Sequence, residues 1–140
     1  MSSAAALVAL PRVQAAYYAR LTGDDELISM ISGVYDYVPE DAAYPYVVIG
    51  EGTEIADNQH GEFGRQTTQT LHVWSRYRGF AQGLAIANRI VELLDHQPLI
   101  IAGLRHIATR LEFMQTLTDP AAPGDLRHIP IRFRTITGQE

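Results

Sequence analysis

The sequence predicts an α+β domain, a mostly antiparallel sheet with helices packed on one face. Two observations carry that expectation. Hydrophobic periodicity runs from a helical repeat to alternation, back to a helical repeat and again to alternation, in the order helices, strands, helix, strands. The 140 residues contain no internal repeat and no linker, and a chain of that length organises around one core.

The first ten residues, MSSAAALVAL, are small and apolar and read either as a short helix or as a poorly ordered arm. Pro11 suits the first turn of a helix, and Val13, Ala16, Tyr17 and Leu21 follow at helical spacing. Thr22-Gly23-Asp24 stops that helix and offers Asp24 as N-cap of a second one over residues 25–32, ended by Gly33. The pair has helix-turn-helix spacing, but no arginine lies between Arg20 and Arg65, so its second helix has no basic face with which to read DNA.

From Val34 the period changes. Val34-Tyr35-Asp36-Tyr37-Val38 alternates and stops at Pro39, and residues 45–50, PYVVIG, form a β-branched run expected to be a buried strand. A further strand is expected over residues 66–75, where Thr68, Thr70, His72 and Trp74 alternate with Gln69, Leu71 and Val73. Between these strands, residues 51–65, EGTEIADNQHGEFGR, read as a long loop carrying Glu51, Glu54, Asp57 and Glu62. Connections beyond about 12 residues are uncommon and usually functional or disordered. This loop is therefore the candidate partner-facing or polyanion-facing segment.

The strongest helix spans residues 80–96. Phe80, Leu84, Ala87, Val91 and Leu94 form one apolar stripe and Ile86, Ile90 and Leu93 an adjacent one. A face that wide is expected against a sheet or between subunits, which makes Phe80, Leu84, Ile86, Ile90 and Leu93 the candidate interface. Pro98 closes the helix. A strand over residues 104–115 is expected to put Ile107, Thr109, Leu111 and Phe113 on one face and His106, Ala108, Arg110 and Glu112 on the other. After a Pro/Gly-rich loop at 119–125, the last strand points Ile129, Ile131 and Phe133 inward. Arg132 and Arg134 point outward, as the solvent face of an edge strand or a partner-facing stripe.

Composition narrows the function. The chain has no cysteine, which removes disulfides, thiolate metal sites and cysteine nucleophiles. All eleven basic residues are arginine, and against sixteen acidic residues they leave a charge of −5. That balance argues against wrapping duplex DNA, because nonspecific affinity comes from cations replacing phosphate counterions, but not against DNA passing nearby. No apolar run reaches the roughly 18 residues of a membrane span, and no basic n-region marks a signal peptide, so a soluble chain without membrane partners is expected. His72, His106 and His128 are the candidate metal set, yet no HxH, HxxxH or HExxH spacing fixes two ligands on one element. Gly61-Glu62-Phe63-Gly64 is acidic, unlike an RNA-clamping GxxG loop, and Ser75 has no GxSxG context. No catalytic, cofactor or metal site is expected.

Together these segments resemble the tail completion or tail terminator proteins of long-tailed phages, which also occur in prophages and gene transfer agents. The resemblance is carried by Tyr17-Tyr18-Ala19-Arg20-Leu21-Thr22, Val34-Tyr35-Asp36-Tyr37-Val38-Pro39, Tyr44-Pro45-Tyr46-Val47-Val48-Ile49-Gly50-Glu51 and Leu71-His72-Val73-Trp74-Ser75-Arg76. Gly79, Ile86-Ala87-Asn88, Leu99, residues 104–113 and Arg127-His128 extend it over residues 10–136. It implies a non-enzymatic, ring-forming subunit, a hexamer, at the tail-head junction of a virion assembled in the host cytoplasm. The implied partners are further copies of the chain, the tail tube protein and the head-tail connector or stopper protein, with DNA transiently in the lumen and no cofactor. In that setting residues 51–65 would face the channel or a neighbouring ring, their carboxylates repelling DNA. Residues 1–9 would be an extension to a domain over 10–140. The alternatives are another neck protein, a stopper or adaptor, or a small-ligand-binding α+β module.

Overall fold

The computed structural model describes residues 5–120 and 124–139. Residues 1–4 of the expected extension and residues 121–123 of the expected Pro/Gly-rich loop lie outside the described residues, as does residue 140. Residues 5–9 are neither a helix nor a loose arm. The Gln139 side chain donates from Nε2 to the Ala5 carbonyl at 2.6 Å and accepts the Leu7 N–H at 2.9 Å, pinning the segment to the end of the last strand.

Pro11 stands in the first turn of α1 (Leu10–Thr22), where its missing N–H costs nothing, and Val13, Ala16, Tyr17 and Leu21 form the buried stripe. Asp24 caps α2 (Asp25–Met30) by accepting the Leu27 N–H at 2.8 Å. That helix ends two residues earlier than expected because Ile31 is already extended. Asp24 also grips Arg89 of α3 (Ala81–Leu94) through two hydrogen bonds of 2.9 and 2.6 Å, so one carboxylate both starts α2 and ties it to α3.

One sheet runs in the order β1-β2-β3-β6-β4, formed by β1 (Val34–Tyr35), β2 (Tyr46–Ala56), β3 (Gly64–Arg76), β4 (Leu104–Met114) and β6 (Leu126–Gln139). The short β5 (Leu117–Thr118) also pairs with β6. Among the described residues only β1 and β2 run parallel. β3 and β6 pair without interruption from Gly64↔Gly138 to Arg76↔Leu126 and make the spine. Alternation along them places Leu71, Val73, Ile129, Ile131 and Phe133 in the core beneath α1 and α3. Each such burial contributes about 1.5–3 kcal/mol against the entropy of ordering the chain. Among the described residues the opposite sheet face carries no helix, which is the two-layer α+β arrangement the sequence predicts.

Three local expectations change. Residues 51–56 continue β2, and Gly64 and Arg65 already belong to β3, so the expected long loop shrinks to residues 57–63. A register shift between Ile49 and Gly52 hides this strand from the sequence, because an extra residue reverses the side-chain phase midway. At the tip, Gln59 and Glu62 exchange both backbone hydrogen bonds at 3.0 Å around His60-Gly61. Gly61 takes a left-handed φ of 81° there, which glycine adopts without strain. Second, β6 lies between β3 and β4, so Arg132 and Arg134 are not on an edge strand. Third, β4 bulges at Ile107 and again at Glu112. The simple alternation therefore fails there: Ile107 and Phe113 are exposed, while Thr109 and Leu111 face the core side.

Candidate functional site

The four carboxylates expected to share one loop are sent in different directions by the β2–β3 hairpin. Glu54 turns under α1. Its oxygens accept the Ala9 N–H at 3.0 and 3.1 Å and the Leu10 N–H at 2.9 Å, and Oε2 lies 3.1 Å from Arg65 Nε. Ala9 has no side chain to cap α1, so a residue 45 positions away performs that task. Asp57 accepts a hydrogen bond from Gln66 Nε2 at 3.2 Å. Glu62 meets Arg105 at 2.5 Å and ties the hairpin to β4; the pair lies directly over Gly138, where a Cβ would push both side-chain ends aside. Glu51 is the most exposed of the group that is ion-paired, with 73% of its side chain accessible.

Glu51 heads a row of polar and aromatic groups on the open sheet face. His72 Nε2 donates to Glu51 Oε1 at 2.8 Å, and on the other side of the ring His72 Nδ1 lies within hydrogen-bond distance of His128 Nε2, at 2.7 Å. The His128 ring stacks on Trp74 with centroids 3.9 Å apart and planes within 5°. The hydrogen bond from His72 holds the Glu51 carboxyl below the ordinary carboxylate range. Burial first, and the neighbouring His72 second, push the His128 imidazole below its usual pKa.

His106 does not join them. It lies on the helix-covered side, where it accepts the Leu99 N–H and lies 2.7 Å from the Thr109 hydroxyl. Thr109 is hydrogen-bonded to Thr135 at 3.0 Å, and Thr135 to the Tyr17 hydroxyl at 2.7 Å, in a buried polar chain under α1. Burial, then Arg110, lowers the His106 pKa. The three histidines thus fall on two sides of the sheet, and among the described residues no group of three or more histidine or acidic side chains is arranged to hold a metal. Ser75 is buried, and among the described residues its hydroxyl has no hydrogen-bond partner.

The expected arginine stripe is occupied from within. Glu112, the extra residue of the second β4 bulge, meets Arg132 Nε at 3.2 Å and Arg134 Nη2 at 2.5 Å, and the Arg132 guanidinium lies over Phe113. The candidate interface on α3 also divides. Ile86 and Ile90 are in the chain's own core, packed against the sheet, which corrects their assignment to a subunit contact. Phe80 and Leu93 are partly buried, Phe80 under the Arg127 guanidinium at 5.0 Å, and Leu84 stays exposed. Two surface features escape the sequence reading, the Trp74–His128–His72 stack and Ile100. The first depends on cross-strand register. The second is foreshadowed by Leu99-Ile100-Ile101, an apolar triplet too short to bury all three side chains.

The family model for the tail completion protein gp17 matches residues 15–138. The tail completion protein gp17 of Bacillus phage SPP1 is 31% identical over 123 residues, covering 86% of this chain and 90% of that protein. Among solved structures, bacteriophage SPP1 gp17 superposes with a TM-score of 0.62 at 29% identity, over 89% of this chain and 88% of that one. A chain from the virion of a native gene transfer agent particle shares the fold at a TM-score of 0.85 and 22% identity, over 95% of this chain and 99% of that one.

Proposed function

The chain belongs to the tail completion protein gp17 family, and from that premise we propose that it forms a ring, a hexamer, that ends the tail tube and joins it to the head connector or stopper protein. It is a structural virion protein, not an enzyme. DNA passes through the ring lumen without sequence-specific binding. The observation that carries this reading is the family match, which spans nearly the whole fold, from within α1 to the end of β6.

The surface chemistry supports a conduit. Nonspecific adhesion to DNA needs unpaired cations, and Arg132 and Arg134 on the open face of β6 are both engaged by Glu112, which leaves Arg110 of β4, opposite Arg134, as the cation there without an ion pair among the described residues. The β2–β3 hairpin faces the channel or the next ring and presents Glu51, Asp57 and Glu62, while Glu54 serves the fold. Leu84 remains a contact for a neighbour. Residues 10–140 form the ring body and residues 1–9 an extension to it.

The test is assembly state and location. Light scattering and electron microscopy of the purified protein, alone and beside its tail partners, should show a ring, and density at the tail-head junction of particles should fit this fold. A protein that stays monomeric and ringless beside those partners refutes the proposal.

A further inference from the structure

α1 lies on the sheet between two grooves, and the two differ in shape and in charge. Toward the β1 edge, a groove of about 510 Å³ is lined by Tyr18 of α1 with Val34, Asp36 and Tyr37 of β1 and the turn after it. Tyr37 is 85% exposed, although it is a large aromatic side chain. Toward the β4 edge, the turn between α3 and β4 projects Ile100, which is 96% exposed. Ile100 is not a frayed residue: Leu99 and Ile101 on either side of it are buried, and Ile101 bridges Leu104 at the start of β4. A rigid turn thus holds a bare aliphatic side chain outward at one edge of the layer while an open aromatic groove waits at the other.

The charges match the shapes. Asp36, Glu40 and Asp41 cluster after β1, all exposed and none in an ion pair among the described residues. Beside Ile100, Arg12 and Arg20 line the β4-side grooves and form no ion pair among the described residues either. Arg12 spends one N–H on the Val8 carbonyl and Arg20 one on the Leu93 carbonyl, which leaves further donors on each guanidinium. One flank of α1 is therefore an aromatic groove with Asp36 in its lining and Glu40 and Asp41 following in the chain, and the other flank a basic aliphatic knob. A surface that is not self-complementary, but complementary to the other flank of α1 on the same molecule, makes heterologous head-to-tail contacts, which close into a ring where the rotation between copies closes.

We propose that the Ile100 turn of one copy seats in the Tyr18–Tyr37 groove of the next, with Arg12 and Arg20 facing Asp36, Glu40 and Asp41. The occupant of the groove is a second copy of this chain. This rests on the ring reading above and places the main ring contact on the flanks of α1. Residues at the centre of an interface dominate its energy when they fill a pocket, and Ile100 is that residue here.

The absence of cysteine from the chain makes the test direct. A double variant, Ile100→Cys with Tyr37→Cys, is oxidised in the purified assembly and in tailed particles from producing cells, beside each single variant. The expected result is a ladder of covalent multimers ending in a closed species for the double variant, and monomer for both singles. A disulfide dimer of the Ile100→Cys single variant indicates a two-fold contact and overturns the proposal. Absence of the ladder from samples that microscopy shows to contain rings overturns this interface and leaves the ring intact. Monomer throughout, with no ring beside the tail partners, overturns the ring reading itself and this contact with it. Ile100→Asp, at a site that makes no core contact, should keep the wild-type circular dichroism spectrum and weaken self-association by about thirtyfold; unchanged association refutes the central role of Ile100.

Discussion

Glu54 gives the sharpest test of the structure because its role is opposite to the one its sequence neighbourhood suggests. The side chain is 15% exposed and its carboxylate accepts the Ala9 and Leu10 N–H groups while holding Arg65. Those two N–H groups are among the first four donors of α1, which no intrahelical carbonyl can accept. A hydrogen bond to a charged group contributes about 1.5–3 kcal/mol, and a negative charge at a helix N-terminus adds about 0.3–1 kcal/mol. Water reaches part of the site once the side chain is cut back, so Glu54→Ala should lose about 2–3 kcal/mol rather than the full sum. Glu54→Gln keeps one acceptor oxygen without the charge and should lose about 1 kcal/mol. For a domain of this size that is a fall in Tm of about 4–12 °C for alanine and about 2–4 °C for glutamine. Thermal and urea unfolding followed by circular dichroism, with Trp74 fluorescence as a second probe, measures both. A Glu54→Ala protein that melts with the wild type would show that α1 does not depend on a cap supplied by β2.

The histidines predict a pH dependence. His106 and His128 bind protons more weakly in the folded chain than in the unfolded one, where the ordinary value is 6.5. Below that value the unfolded chain takes up more protons than the folded chain, so their contribution to stability is complete at pH 7.5 and declines as the pH falls through about 6.5. Tm should drop between pH 7.5 and 5.5, and His106→Gln and His128→Gln should each flatten the drop; equal slopes in all three proteins contradict the assignment. The hairpin carboxylates offer a separate test of the channel reading. Glu51→Gln, Asp57→Asn and Glu62→Gln together keep oxygen acceptors for their partners and should change stability by no more than about 0.5 kcal/mol per site, as for surface substitutions generally. DNA ejection from particles carrying the triple variant should slow as repulsion is lost, and unchanged ejection and assembly remove the channel role.

Much of the architecture is legible before any coordinates. Strand faces with uninterrupted alternation, such as Leu71 and Val73 or Ile129, Ile131 and Phe133, come out as read, because a period of two fixes the face of every side chain. The α1 start at Pro11 and the Asp24 cap are equally local, each depending on atoms within four residues. The errors concentrate at bulges. One near Gly50 hides the second half of β2, and those at Ile107 and Glu112 turn the faces of β4, because an inserted residue reverses the phase on which the reading depends. The two apolar stripes of α3 show another limit: periodicity measures how wide a buried face is and not whether the covering surface belongs to the same chain.

The sequence by itself therefore determined the α+β class, the core faces of the central strands, the absence of cysteine chemistry and, through ordered motifs along most of its length, the family resemblance. These follow from the periodicity and the order of residues, which a linear chain displays. Only the tertiary structure decided what each charge does. It sent Glu54 to the start of α1, Glu62 to Arg105, Glu112 to both outward arginines and Glu51 to the His72–His128 pair. It also left Ile100 and Tyr37 bare on the two flanks of α1. Charge pairing depends on distances of a few ångströms between residues tens of positions apart, and strand order and register set those distances.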